Sequence, residues 1–110
     1  MKKIELIELL EKMQVPVSEG VPEDEKIEAE TRICYWEYLW EPLTASGEEY
    51  NTNVTYQVSI ISDQPRCQTL IKLKNELNKI DIHPIINIEY NVQDRRWHSY
   101  FSIEVLENVE

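Results

Sequence analysis

The sequence predicts an α+β fold: an antiparallel four-stranded sheet with two helices packed on one face, in the order α-β-β-α-β-β. Three observations lead there. Two stretches place apolar residues at spacings of three and four, as one face of a helix requires. Four others alternate apolar and polar residues or are dense in β-branched and aromatic side chains, as a half-buried strand requires. Proline, glycine and polar clusters fall between these stretches and not within them. At 110 residues, with 42% hydrophobic and 29% charged content, the chain suits one domain spanning 1–110 with one apolar core.

The first helix is read from Ile4, Leu6, Ile7, Leu10 and Met13, separated by Glu5, Glu8, Glu11 and Lys12. It must stop before Pro16, because the residue before a proline is pushed out of the helical region. Residues 18–30 hold Gly20, Pro22 and six carboxylates and read as an extended acidic linker. Arg32 to Trp40 reads as a strand, with Cys34, Trp36, Tyr38 and Trp40 on one face and Ile33, Tyr35, Glu37 and Leu39 on the other. Residues 43–53 read as a loop, and Tyr50 to Ile61 as the returning strand, with Val54, Tyr56, Val58 and Ile60 inward. Ser62-Asp63-Gln64-Pro65 opens the second helix, whose stripe is Cys67, Leu70, Ile71, Leu73 and Leu77, with Lys72, Lys74 and Lys79 toward its negative end. Ile85 to Val92, a turn at Gln93-Asp94-Arg95, and a strand with Trp97, Phe101, Ile103 and Val105 inward complete the chain.

Charge narrows the function. Eleven basic against 21 acidic residues, formally -10, repel a polyphosphate backbone, so direct sequence-specific nucleic-acid binding is not expected. The two glycines, Gly20 and Gly47, stand too far apart for a phosphate cradle. Glutamates at positions 5, 8 and 11 interrupt any secretory apolar run, and no stretch approaches the ~18 apolar residues of a membrane span. A cytoplasmic origin without a membrane partner is the expectation, with Cys34 and Cys67 as buried thiols.

Chemistry-bearing constellations are weak. His83 and His98 have no recognisable nucleophile or carboxylate partner motif. Cys34, Cys67, His83 and His98 could in principle meet the demands of zinc, but structural zinc sites take ligands in close pairs, and these four are scattered. The acidic linker lacks the spacing of a calcium loop. No catalytic, metal or cofactor residues are therefore assigned, and an enzyme is not expected.

The most informative run is Tyr35-Trp36-Glu37-Tyr38-Leu39-Trp40. Helices on one side of a sheet bury one face of such a strand and leave large apolar side chains on the other, where a protein partner is the natural cover and the acidic linker or the first helix is the alternative. Trp36, Tyr38, Trp40, Tyr50 and Asn51 are the candidate subunit-interface residues.

The order of elements resembles the small neck proteins of long-tailed bacteriophages and prophages, above all the tail terminator, or tail-completion, proteins. The residues that carry the likeness are the helix ending Glu11-Lys12-Met13-Gln14-Val15-Pro16-Val17, the strands Arg32-Ile33-Cys34-Tyr35-Trp36 and Tyr56-Gln57-Val58-Ser59-Ile60-Ile61, and the closing Tyr100-Phe101-Ser102-Ile103-Glu104-Val105. The resemblance implies a structural protein of the virion neck, assembled in the bacterial host cytoplasm. It would form a ring, usually of six copies, on the tail tube, touching the tube protein and the head connector, with no cofactor. An acidic lining of such a ring would let DNA pass without holding it. The alternatives are another neck component, such as a head-completion protein, or a monomeric acidic protein-binding module or inhibitor.

Overall fold

The computed structural model describes residues 1–20, 31–45 and 48–107. The chain is α+β: α1 (Lys3–Glu11), β1 (Val17–Glu19), β2 (Arg32–Ala45), β3 (Glu48–Ser62), α2 (Gln68–Lys79), β4 (Asn87–Asn91) and β5 (Arg96–Glu107). The sheet corrects the expected four antiparallel strands. It has five, ordered β1-β2-β3-β5-β4, and it is mixed, because β1 runs parallel to β2 with Val17 opposite Ile33 and Glu19 opposite Tyr35. Three residues are too few to show a period, and Ser18 and Glu19 carry the polarity of a linker. What makes them a strand is docking: the Ile33 amide donates to the Pro16 carbonyl at 2.8 Å, and the Gly20 amide donates to the Tyr35 carbonyl at 2.8 Å. The rest of the expected linker, 21–30, lies outside the described residues.

α1 leaves its last turn through Gln14, whose φ of 60° turns the chain sharply toward β1. Leu6, Leu9, Leu10 and Met13 are buried against the sheet, while Ile4 faces outward. α2 begins at Gln68 and not at Pro65, because Ser62 Oγ accepts the Gln64 amide and donates to the Gln64 carbonyl in a separate turn. Its end is a Schellman closure: the Ile82 amide donates to the Leu77 carbonyl at 3.0 Å and the Asp81 amide to Asn78 at 3.1 Å. Asp81 takes the left-handed φ of 59° that glycine usually supplies there.

The core lies between the helices and one face of the sheet. Leu70, Leu73 and Leu77 of α2 and the α1 leucines meet Ile33, Tyr35, Val54, Tyr56, Val58, Ile60, Phe101, Ile103 and Val105, all buried. β3 is central, pairing with β2 from Arg32↔Ile61 to Ala45↔Glu48 and with β5 from Thr52↔Glu107 to Ser62↔Trp97. β4 is an edge strand. Of Ile86, Ile88, Tyr90 and Val92, which the alternation places on one face, Ile86 packs against the core, whereas Ile88, Tyr90 and Val92 are exposed; the strand itself is five residues, Asn87–Asn91, paired with β5. The β4–β5 turn is held by Asn91 Oδ1, which accepts the Gln93 and Asp94 amides, and by Asp94 Oδ1, which accepts that of Arg96.

Leu73→Ala empties a fully buried site and is expected to cost about 2–5 kcal/mol of stability in urea unfolding. Alkaline pH acts on the same core. Burial pushes the Tyr56 and Tyr35 hydroxyls up, and the hydrogen bond that Tyr56 donates to Glu107 (3.0 Å) adds to the effect. For Lys3, burial pulls down but the Glu19 carboxylate at 3.3 Å outweighs it and the ammonium is raised. Groups raised above their unfolded values stabilise fully below those values, and the contribution is lost as pH climbs through the folded ones. The urea midpoint is therefore expected to hold level up to about pH 9 and to fall above about pH 10, with Tyr56→Phe flattening the fall.

Candidate functional site

β1 covers the outer side of β2 only as far as Tyr35, and β4 covers β5 only from Arg96 to Tyr100. Beyond those points the sheet narrows, among the described residues, to β2, β3 and β5, and past the Pro42–Thr52–Glu107 level to β2 and β3. The outer portion, Trp36–Ala45 with Glu48–Gln57 and Phe101–Glu107, forms an arm. The stretch 43–53, expected as a loop, is mostly strand. β2 continues through Pro42, which an edge strand tolerates because it needs no amide toward a neighbour on its free side.

The arm's faces are set by two irregularities. Glu37 pairs with Tyr56 and Leu39 with Thr55, leaving Tyr38 as an extra residue. A second shift between Leu43↔Asn51 and Thr44↔Glu49 leaves Tyr50 unmatched on the other strand. Each is a β-bulge, which bends the strand and re-aims the side chains beyond it. The first reverses the alternation read from sequence. Trp40 falls in register with Val54 and Val105 on the helix-side face, and its Nε1 donates to Glu37 Oε2 on that face at 3.0 Å. Leu39 falls in register with Thr55 and Glu104 on the opposite face.

The candidate residues thus divide. Trp36 and Tyr38 share the face away from the helices, and the Tyr38 hydroxyl lies 2.8 Å from Ser102 Oγ. Trp40 occupies the other face. Asn51 is half-buried opposite Leu43. Tyr50 contributes backbone to β3, and its side chain lies outside the described residues. The structure adds residues that the sequence reading passed over: Leu39, Leu43 and Leu106 are exposed and join Trp36 and Tyr38 on the face away from α1 and α2. Leu43 falls in the stretch 43–53 that the sequence reads as a loop after a strand ending at Trp40, and the alternation of Leu106 with the inward Val105 is the signal available for Leu106. Tyr38, Leu39 and Trp40 are each just over half exposed. Three consecutive large apolar residues so placed, on both faces of one arm, exceed the scattered singles of an ordinary surface.

Nearer the body, the face away from α1 and α2 is concave. A recess of about 540 Å³ is lined by Arg32, Cys34, Trp36, Ile61 and His98, among others. Cys34 is buried there, whereas Cys67 lies in the core across the sheet. His98 Nε2 contacts Asp94 at 2.8 Å, and His83 sits between Asn78 and Asp81 at 2.8 and 2.9 Å. The two thiols and two imidazoles therefore do not converge on one place. Among the described residues no group of three or more His, Cys, Asp or Glu side chains is placed to hold a metal ion, and no helix is long and apolar enough to cross a membrane.

No protein-family model matches the chain. No curated protein matches it either. Among solved structures, it is similar to the sheath/tube terminator of an extracellular contractile injection system, PVC, determined by cryo-EM in the extended state: TM-score 0.37, 9% identity, 99% of this chain covered. The chain spans 58% of the length of that one.

An exposed contact residue and a core residue respond differently to truncation. Trp40→Ala is expected to change folding stability by less than about 1 kcal/mol in urea unfolding, against the larger loss expected at Leu73.

Proposed function

We propose that this chain is a structural assembly protein of a tailed phage or prophage particle, whose copies close into a ring of six on the end of the tail tube and join it to the head. The observation that carries this reading is the arm: a narrowing three- and then two-stranded projection that presents Trp36, Tyr38, Leu39 and Leu43 on one face and Trp40 on the other. Aromatic anchors of this kind supply most of the binding energy in protein interfaces. The sequence order of elements, with its likeness to tail terminators, supports the same assignment. The partners are other copies of the chain, the tube protein and the head connector. The acid excess, 21 against 11, suits a ring that DNA crosses without being held.

The test is direct. Purified chain mixed with isolated tail tubes is expected to appear by electron microscopy as a ring on one tube end, and the Trp36→Ala/Tyr38→Ala variant is expected to lose that decoration while keeping its far-UV circular dichroism. Bare tube ends at saturating chain would overturn the assignment.

A further inference from the structure

We propose that the arm of one copy docks on the lysine-bearing outer face of α2 of the next, so that copies join head to tail. This rests on the reading above, that the arm mediates self-association, and it identifies the surface that receives the arm.

Charge is the first argument. The arm, 36–45 with 48–57 and 101–107, contains six glutamates and no lysine or arginine. Among the described ones, Glu37, Glu41 and Glu104 are exposed. Two arms laid face to face in a twofold contact would bring these carboxylates together without a cation between them, and like charges juxtaposed at an interface are strongly unfavourable. The acceptor must be basic. The stretch from Arg66 to Lys79 answers, with Arg66, Lys72, Lys74 and Lys79 against the single carboxylate Glu76. All four cations are exposed. Lys79 holds Glu76 at 3.0 Å, so the one carboxylate there is already neutralised.

Apolar content is the second argument. The outer face of α2 is not purely charged. Ile71 is 43% exposed and lies with Gln68, Lys72, Asn75, Lys79 and the Lys79-paired Glu76 along a shallow groove. A tryptophan or leucine from the arm meets an isoleucine there, flanked by lysines whose methylene stems pack as apolar surface while their ammonium groups reach the glutamates. Each copy then offers two different patches. The contact is heterologous, and repeated contacts of this kind close into a ring when the rotation between copies divides a full turn.

The experiment is charge reversal read by sedimentation velocity. Glu37→Lys/Glu41→Lys/Glu104→Lys reverses the three exposed charges described on the arm, and Lys72→Glu/Lys79→Glu turns the helix face acidic. Wild-type chain is expected to self-associate, more weakly as salt rises. Each reversed variant alone is expected to lose at least tenfold in association, since the exposed charges of its arm and its helix face carry the same sign. Equimolar mixing of the two is expected to restore assembly, because each arm again meets an opposite face. Lys72→Gln/Lys79→Gln, which adds no repulsion, is expected to weaken association without abolishing it. If mixing fails to restore assembly while Trp40→Ala/Tyr38→Ala still weakens the wild type, the α2 assignment is overturned and the arm remains the contact. If the aromatic variant associates as well as the wild type, or the wild type stays monomeric up to about 1 mM, a concentration at which even contacts worth about 4 kcal/mol are half formed, both fall.

Discussion

The antiparallel pairing of β2 with β3 is the constraint on which the rest of the molecule depends. β3 is buried along most of its length on both faces, with Val54, Tyr56, Val58 and Ile60 toward the helices and Thr55, Ser59 and Ile61 away from them. Backbone groups so enclosed must find their partners in neighbouring strands, and β2 and β5 supply them. Once this three-stranded centre exists, the helices have one apolar face to cover. The short strands β1 and β4 then cap the edges only near the body, and the arm is what the caps do not reach.

That division also explains which parts of the fold the sequence makes legible. The core stripes are legible in part because burial imposes a period: Leu6 and Leu10 of α1 with Met13 just past it, Leu70, Leu73 and Leu77 of α2, Val54 to Ile60 of β3 and Phe101 to Val105 of β5 are buried as their spacing demands, whereas Ile4 and Ile71, read into the same stripes, are exposed and Trp97 is half-buried. β1 is illegible because its three residues become a strand through the Pro16 and Gly20 hydrogen bonds, which are tertiary events. β4 looks like a core strand in composition yet lies exposed, since apolar alternation says which residues share a face and not whether anything covers it.

The candidate surface fared differently. The aromatic run is visible in the sequence as an excess of apolar side chains, and Trp36 and Tyr38 do share the face away from α1 and α2. The placement of Trp40 is not visible, because a single extra residue at Tyr38 reverses every later side chain, and nothing in the run Trp36-Glu37-Tyr38-Leu39-Trp40 marks which residue will be left unpaired. The bulges have a second effect. Together with Pro42, Glu37 and Glu41 they interrupt the exposed edge of β2, so that indiscriminate strand addition along it is discouraged while side chains remain available for a specific contact.

The continuity of β3 has a mechanical consequence. The same strand that pairs within the arm runs unbroken into the centre of the body, from Glu48 to Ser62. Ladder hydrogen bonds lie across the strand direction, so a pull applied at the arm tip and directed along β3 loads many of them together in shear instead of peeling them one at a time. The arm is therefore anchored in the core through β3, and a load along that strand is shared across its ladder.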